Sequence, residues 1–124
     1  MSSIEGLDKA KARLGNFEFN EFRIIRRFCF YDLDRGSSSQ KEIEIVLDSD
    51  RRNSNFSLTL RFGGVSGLRL AGFGGGETRI IGFDIQDISN KQWENLNWEI
   101  IDFENDVLTF QCKSVEVVSI EPIA

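Results

Sequence analysis

With 124 residues and a net charge of -5, the chain is long enough to bury a core without disulfide staples or a structural metal. Its acidity, with a pI near 4.8, disfavours a broad grip on phosphate backbones, which argues against nucleic acid as a partner. Zero histidines remove Ser-His-Asp and Cys-His catalysis, histidine zinc sites and the commonest general base near neutral pH.

Hydrophobic residues at 40% and charged residues at 28% are the mix of a globular protein, so one domain spanning 1–124 is expected, a short helix in 1–15 followed by a β domain in 16–121. Phe dominates the aromatics, 11 against 2 Trp and 1 Tyr, which suits packed sheets because Phe rings carry no polar tip that needs a partner. The N-terminus has no long apolar run and no stretch approaches the roughly 18 apolar residues of a membrane span. The expected compartment is the cytoplasm, with no membrane contact. There, Cys29 and Cys112 read as reduced core thiols rather than a bridge, and Asn55-Phe56-Ser57 is a chance sequon.

In chain order, Ile4, Leu7, Ala10 and Leu14 recur at helical spacing, with Ser3 as N-cap and Gly15 at the stop. From Phe22 to Leu33 an aromatic and β-branched stretch is interrupted by Arg23, Arg26 and Arg27, which predicts a strand with a bulge. After the polar loop of residues 35–40, Ile43, Ile45 and Leu47 alternate with Glu42 and Glu44 as the hairpin partner of that strand. Phe56, Leu58, Leu60 and Phe62 alternate with Ser57, Thr59 and Arg61, a half-buried strand. Gly63-Gly64-Val65-Ser66-Gly67 then turns the chain into Leu68 and Leu70, which reads as a second hairpin.

Ile81, Phe83 and Ile85 form a further strand, and Ser89 with Gln92 has capping-box spacing for one helical turn carrying Trp93. Trp98 and Ile100, a turn at Glu104-Asn105-Asp106, and Leu108, Phe110 and Cys112 give a third hairpin. Val115 to Ile120 is the last strand, and Pro122 stands where a missing amide donor is harmless. Short strands joined mostly by tight turns predict an antiparallel β-sandwich or partly open barrel of seven to eight strands with a short N-terminal helix.

No catalytic, cofactor-binding or metal-ligating residue is nominated. The run Gly72-Phe73-Gly74-Gly75-Gly76-Glu77 fits neither the dinucleotide fingerprint nor the P-loop, so no cofactor is expected. Two distant cysteines cannot make a four-cysteine zinc site. The acidic groups Asp32 and Asp34, Asp48 and Asp50, Asp84 and Asp87, and Asp102, Glu104 and Asp106 flank predicted turns, where Asp is favoured by local hydrogen bonding.

Partner-binding candidates are Arg61, Arg69, Asp84, Trp93 and Trp98. Arg61 and Arg69 occupy outward positions of strands predicted to be neighbours, where arginine forks can pair carboxylates of a partner. The competing reading pairs these arginines with Asp84 or Glu99 inside the domain. Trp93 and Trp98 read as a partner hot spot or, alternatively, as core packing.

Phe62-Gly63-Gly64-Val65, Ile81-Gly82-Phe83-Asp84-Ile85-Gln86-Asp87-Ile88, Trp93-Glu94, Asp102-Phe103-Glu104 and Phe110-Gln111-Cys112 form a spaced pattern of strand and turn residues over about 56–120. In it the chain resembles small bacterial single-domain proteins, some of them described as toxin-immunity proteins. The resemblance implies a bacterial cytoplasmic origin and a binding role, and it carries no catalytic signature. Together these readings favour a non-catalytic protein-binding module, an immunity-type inhibitor whose acidic surface covers a toxin, with a homodimer also expected. The alternatives are a carrier of small apolar ligands in a barrel cavity and a carboxylate-dependent enzyme.

Overall fold

A computed structural model describes residues 4–32, 41–49, 55–71, 78–79, 83–91, 96–102 and 108–123. Within them the chain is mainly β, with a helix α1 (Leu7–Arg13) and strands β1 (Phe22–Asp32), β2 (Lys41–Ser49), β3 (Phe56–Gly63), β4 (Ser66–Leu70), β5 (Thr78–Arg79), β6 (Phe83–Asp87), β7 (Trp98–Asp102), β8 (Leu108–Cys112) and β9 (Ser114–Pro122). Eight of the nine have five or more residues, as the alternation predicts, and β5 adds a two-residue pairing against Ile24 and Ile25. The strands form a five-stranded antiparallel sheet in the order β5-β1-β2-β3-β9 and a four-stranded one in the order β4-β8-β7-β6.

The five-stranded sheet follows directly from period-two patterning. Ile43, Ile45 and Leu47 on β2, Leu58, Leu60 and Phe62 on β3, and Val115 and Val117 on β9 are buried. The register sets Ile45 opposite Leu60 and Leu60 opposite Val117, so the apolar stripe crosses the strands without a break. Each such side chain contributes roughly 1.5–3 kcal/mol by leaving water. The expected bulge in β1 appears as register shifts between Phe22 and Ile24 and between Ile25 and Arg27, which lets Ile24 and Ile25 both be buried although they are consecutive.

The four-stranded sheet turns Trp98, Ile100, Leu108, Phe110 and Cys112 toward this stripe, and they join one buried cluster with it. Phe62 and Phe110 meet edge to face between the sheets, with ring centroids 4.9 Å apart and planes at 83°, an arrangement the aromatic quadrupole favours. The two sheets thus pack as a sandwich around a shared Phe-rich core. Cys112 is a free thiol inside it, and burial pushes its pKa up to about 12. Cys29, also free, is half-buried.

The first and third expected hairpins are present as β1 with β2 and β7 with β8, the turn at 104–106 lying outside the described residues. The second expectation is corrected. Residues 63–67 do not fold β4 back onto β3, because β4 pairs with β8 in the other sheet. The β3–β9 ribbon instead bends through a corner and continues as β4–β8. Gly63 is opposite Ser114, the Lys113 amide donates to the Gly63 carbonyl at 2.9 Å, and Ser66 is opposite Gln111. Gly64 at φ 65° and Gly67 at φ 68° occupy the left-handed region that this bend requires.

The helix is shorter at its start than the 1–15 expectation, and Ser3 lies outside the described residues. Glu5 is spent in a parallel bridge with Glu116, its amide donating to the Val115 carbonyl at 3.1 Å while the Val117 amide donates to the Glu5 carbonyl at 2.7 Å. Gly6 must then turn the chain at φ 79°, where any Cβ would collide with the Val117 carbonyl oxygen, before α1 docks Ala10 into the core with Leu7 and Leu14 against it. Ser89–Lys91 forms the expected single turn as a 3-10 helix. Asp87 caps it, accepting from the Ser89 amide at 2.9 Å and hydroxyl at 2.6 Å, while Gln92 lies outside the described residues. No helix among the described residues is long and apolar enough to cross a membrane.

Candidate functional site

Burying one face of β2, β3 and β9 turns the intervening residues outward, and cross-strand pairing arranges them in rows. One row reads Cys29, Glu44, Arg61 and Glu116 across β1, β2, β3 and β9; the next reads Tyr31, Glu42, Gly63 and Ser114. Directly opposed residues of an antiparallel pair have Cβ atoms about 4.5–5.5 Å apart, so each row behaves as one electrostatic unit.

Arg61 is the centre of this face. Its Nη2 donates to Glu44 Oε2 at 3.2 Å, and that hydrogen bond, followed by the charges of Glu44, Glu116 and Glu42, holds the guanidinium above its ordinary pKa. Beside it lies a recess of about 290 Å³ lined by Glu5, Glu42, Arg61, Gly63, Ser114, Val115 and Glu116. Small residues at Gly63 and Ser114 make room, and the β9 bridge that shortens α1 brings Glu5 to the same recess. Among the described residues three carboxylates and one guanidinium line it, and Glu44 engages that guanidinium.

Toward β1 the face changes character. Arg26 Nε donates to Asp48 Oδ2 at 2.6 Å, and Arg27 Nε donates to Cys29 Sγ at 3.3 Å. Contact with Cys29 raises the Arg27 pKa, and a hydrogen bond with Cys29 is also the main cause that lifts Tyr31 above its ordinary value. Among the described residues no group of three or more His, Cys, Asp or Glu is placed to hold a metal ion. What the face presents is a polar, predominantly negative surface on a rigid sheet, suited to pairing with cationic groups.

The sequence-nominated residues do not assemble into one site. Arg61 lies on this face, but its carboxylate partner is Glu44 and not Asp84 or Glu99; Glu99 instead accepts from Gln111 Nε2 at 3.0 Å. Arg69 is on β4, and since β3 and β4 belong to different sheets the expected neighbourhood of Arg61 and Arg69 does not exist. Asp84, on β6, accepts from the Ile85 amide at 2.9 Å and from Gln86 Nε2 at 3.5 Å. Trp98 is buried in the core at 7% exposure, and Trp93 lies outside the described residues.

Of the acidic groups, Asp32 accepts a salt bridge from Lys41 at 3.1 Å, Asp48 pairs Arg26 and Asp87 caps Ser89, local roles of the kind turn-flanking acids take. Asp34, Asp50, Glu104 and Asp106 lie outside the described residues. The residues that do assemble, Glu5, Glu42, Glu44 and Glu116, were missed because Glu42 and Glu44 read only as the polar half of the β2 alternation, while Glu5 and Glu116 lie far from them in sequence. Their signal was the outward parity of Glu42 and Glu44 on β2 and of Glu116 on β9, legible once those strands are known to flank β3.

Residues 12–118 match the family model described as Immunity protein PIM8. No curated protein matches the chain, and neither does any solved structure.

Proposed function

The chain belongs to the Immunity protein PIM8 family, and from that premise we propose that it is a non-catalytic inhibitor that neutralises a bacterial toxin in the cytoplasm by binding it through the outer face of the five-stranded sheet. The observation that carries this reading is the recess around Arg61, which among the described residues is lined by Glu5, Glu42 and Glu116 beside a guanidinium that Glu44 already engages. A basic patch on a toxin would meet carboxylates held on a sheet, where little reorganisation opposes binding. On a chain of net charge -5, the long-range field steers such a partner and accelerates encounter. Arg61 then acts as an internal counterion that keeps neighbouring carboxylates in register, a different role from the acid-recognising fork suggested by its residue type alone.

The test is co-purification with each toxin encoded at the same locus, followed by titration of the complex at low and high salt. Glu42→Gln with Glu116→Gln should weaken binding by about tenfold or more and flatten the salt dependence; both positions are half-buried and Glu116 is opposite Arg61, so the melting temperature is read alongside to separate lost binding from lost stability. A complex indifferent to both changes, or the absence of any complex, would overturn the assignment of this face. The apolar-carrier alternative needs a cavity between the sheets, where among the described residues Phe62 and Phe110 pack ring against ring, and the Arg61 recess is polar.

A further inference from the structure

The four-stranded sheet ends at β4, and among the described residues no strand pairs with its other side. A strand in this position presents a row of backbone donors and acceptors that template another strand. Its two faces differ. Leu70 lies opposite buried Leu108, and Leu68 packs against the core, so these two mark the inner, apolar side; Arg69 lies opposite Thr109 on the outer side. Leu70 is nevertheless 44% exposed. A recess of about 640 Å³ opens along this edge, lined by Leu68, Arg69, Leu70, Ala71 and Thr109.

Arg69 is exposed and, unlike Arg26 and Arg61, has no hydrogen-bond or ion-pair partner among the described residues. An unengaged guanidinium on the edge of an acidic protein calls for a carboxylate, which it can hold in a bidentate fork. A second copy of the chain supplies the wrong chemistry. An antiparallel β4–β4 pair about a two-fold axis would place two Arg69 side chains on one face with no acid from either β4.

We propose that β4 is a second docking site, at which an extended segment of a partner protein adds a strand to the four-stranded sheet, covering Leu68 and Leu70 with apolar side chains and setting a carboxylate against Arg69. Backbone hydrogen bonds supply the affinity of such an addition, and alternate side chains supply the specificity. The site lies on the sheet opposite the Arg61 recess and does not rest on the function proposed for that recess.

The probe is a capped synthetic peptide of alternating valine and threonine with one central glutamate, titrated into isotopically labelled protein and followed by amide shifts. Shifts should concentrate in residues 66–71 and at Thr109. Replacing the glutamate by lysine should weaken binding by about five- to tenfold, and Arg69→Glu, a surface change that leaves the fold intact, should invert the preference. Proline at alternate positions of the peptide should abolish binding, since it removes ladder donors. Absence of β4 shifts up to the peptide's solubility limit, or equal binding of the two peptides to parent and Arg69→Glu proteins, would overturn the proposal. So would concentration-dependent broadening of β4 amides in the protein alone, which would assign the edge to a second copy.

Discussion

The two sheets solve the same packing problem with different margins. In the five-stranded sheet, β2 and β3 run nine and eight residues with a buried residue at every second position, and β9 closes the edge with help from Glu5 and α1. In the four-stranded sheet every strand has five residues, and β4 leaves Leu70 and Arg69 at the surface. Length gives the first sheet enough burial to carry a strongly charged outer face. The short sheet depends on what the long one lends it across the core, so the contact between them is where the comparison can be broken.

The largest effect is expected at that contact. Phe62→Ala should cost about 3–5 kcal/mol, because it removes a fully buried ring and leaves Phe110 facing a cavity. Chemical denaturation gives the value, and hydrogen exchange in the same protein should show β6, β7 and β8 losing protection before β2 and β3. Loss of protection to the same extent in both sheets would mean that they do not differ in margin.

A second test uses Cys112, which belongs to the short sheet and titrates far from its usual range. Its folded pKa of about 12 lies above the roughly 8.5 of an unfolded thiol, so in that interval the folded state holds a proton that the unfolded state has released. Stability is unaffected below pH 8.5 and should fall by about 1.4 kcal/mol per pH unit as pH rises through the interval. Cys112→Ala should lower stability at neutral pH and remove this slope. In the parent protein, Cys29, half-buried on the long sheet, should react with a thiol reagent without unfolding, whereas buried Cys112 should react at the unfolding rate.

A smaller effect is expected at the corner that joins the sheets. Gly64→Ala puts a Cβ on a backbone at φ 65° and 2.7 Å from the Lys113 side chain. The lysine stem can move aside, so the cost should be about 1–2 kcal/mol from backbone strain. Double-mutant analysis with Phe62→Ala should give non-additive losses, because both changes loosen the same junction.

Several features were legible residue by residue. The alternation of Ile43, Ile45 and Leu47 with glutamates, the bulge around Arg26, and the β7–β8 hairpin all follow from local patterning and appear in the fold. The corner at Gly63–Gly67 was misread because glycine-rich segments serve equally for a hairpin and for a bend between sheets, and only the identity of the pairing strand distinguishes them. Arg61 was singled out correctly as an outward residue on β3, yet its partner Glu44 is reached through the β2–β3 register and Glu116 through a strand more than fifty residues away.

What the sequence determined by itself is the class of structure: which stretches extend, which side of each is apolar, and that no histidine-dependent chemistry is available. These are properties of neighbouring residues, fixed by the two-residue repeat of a strand and by composition. Tertiary structure alone decided that β3 lies between β2 and β9, that among the described residues β4 ends its sheet, and that Glu5, Glu42 and Glu116 line one recess with Arg61. Those facts depend on which distant strands close against one another, a choice set by the packing of the whole core and invisible to any local window.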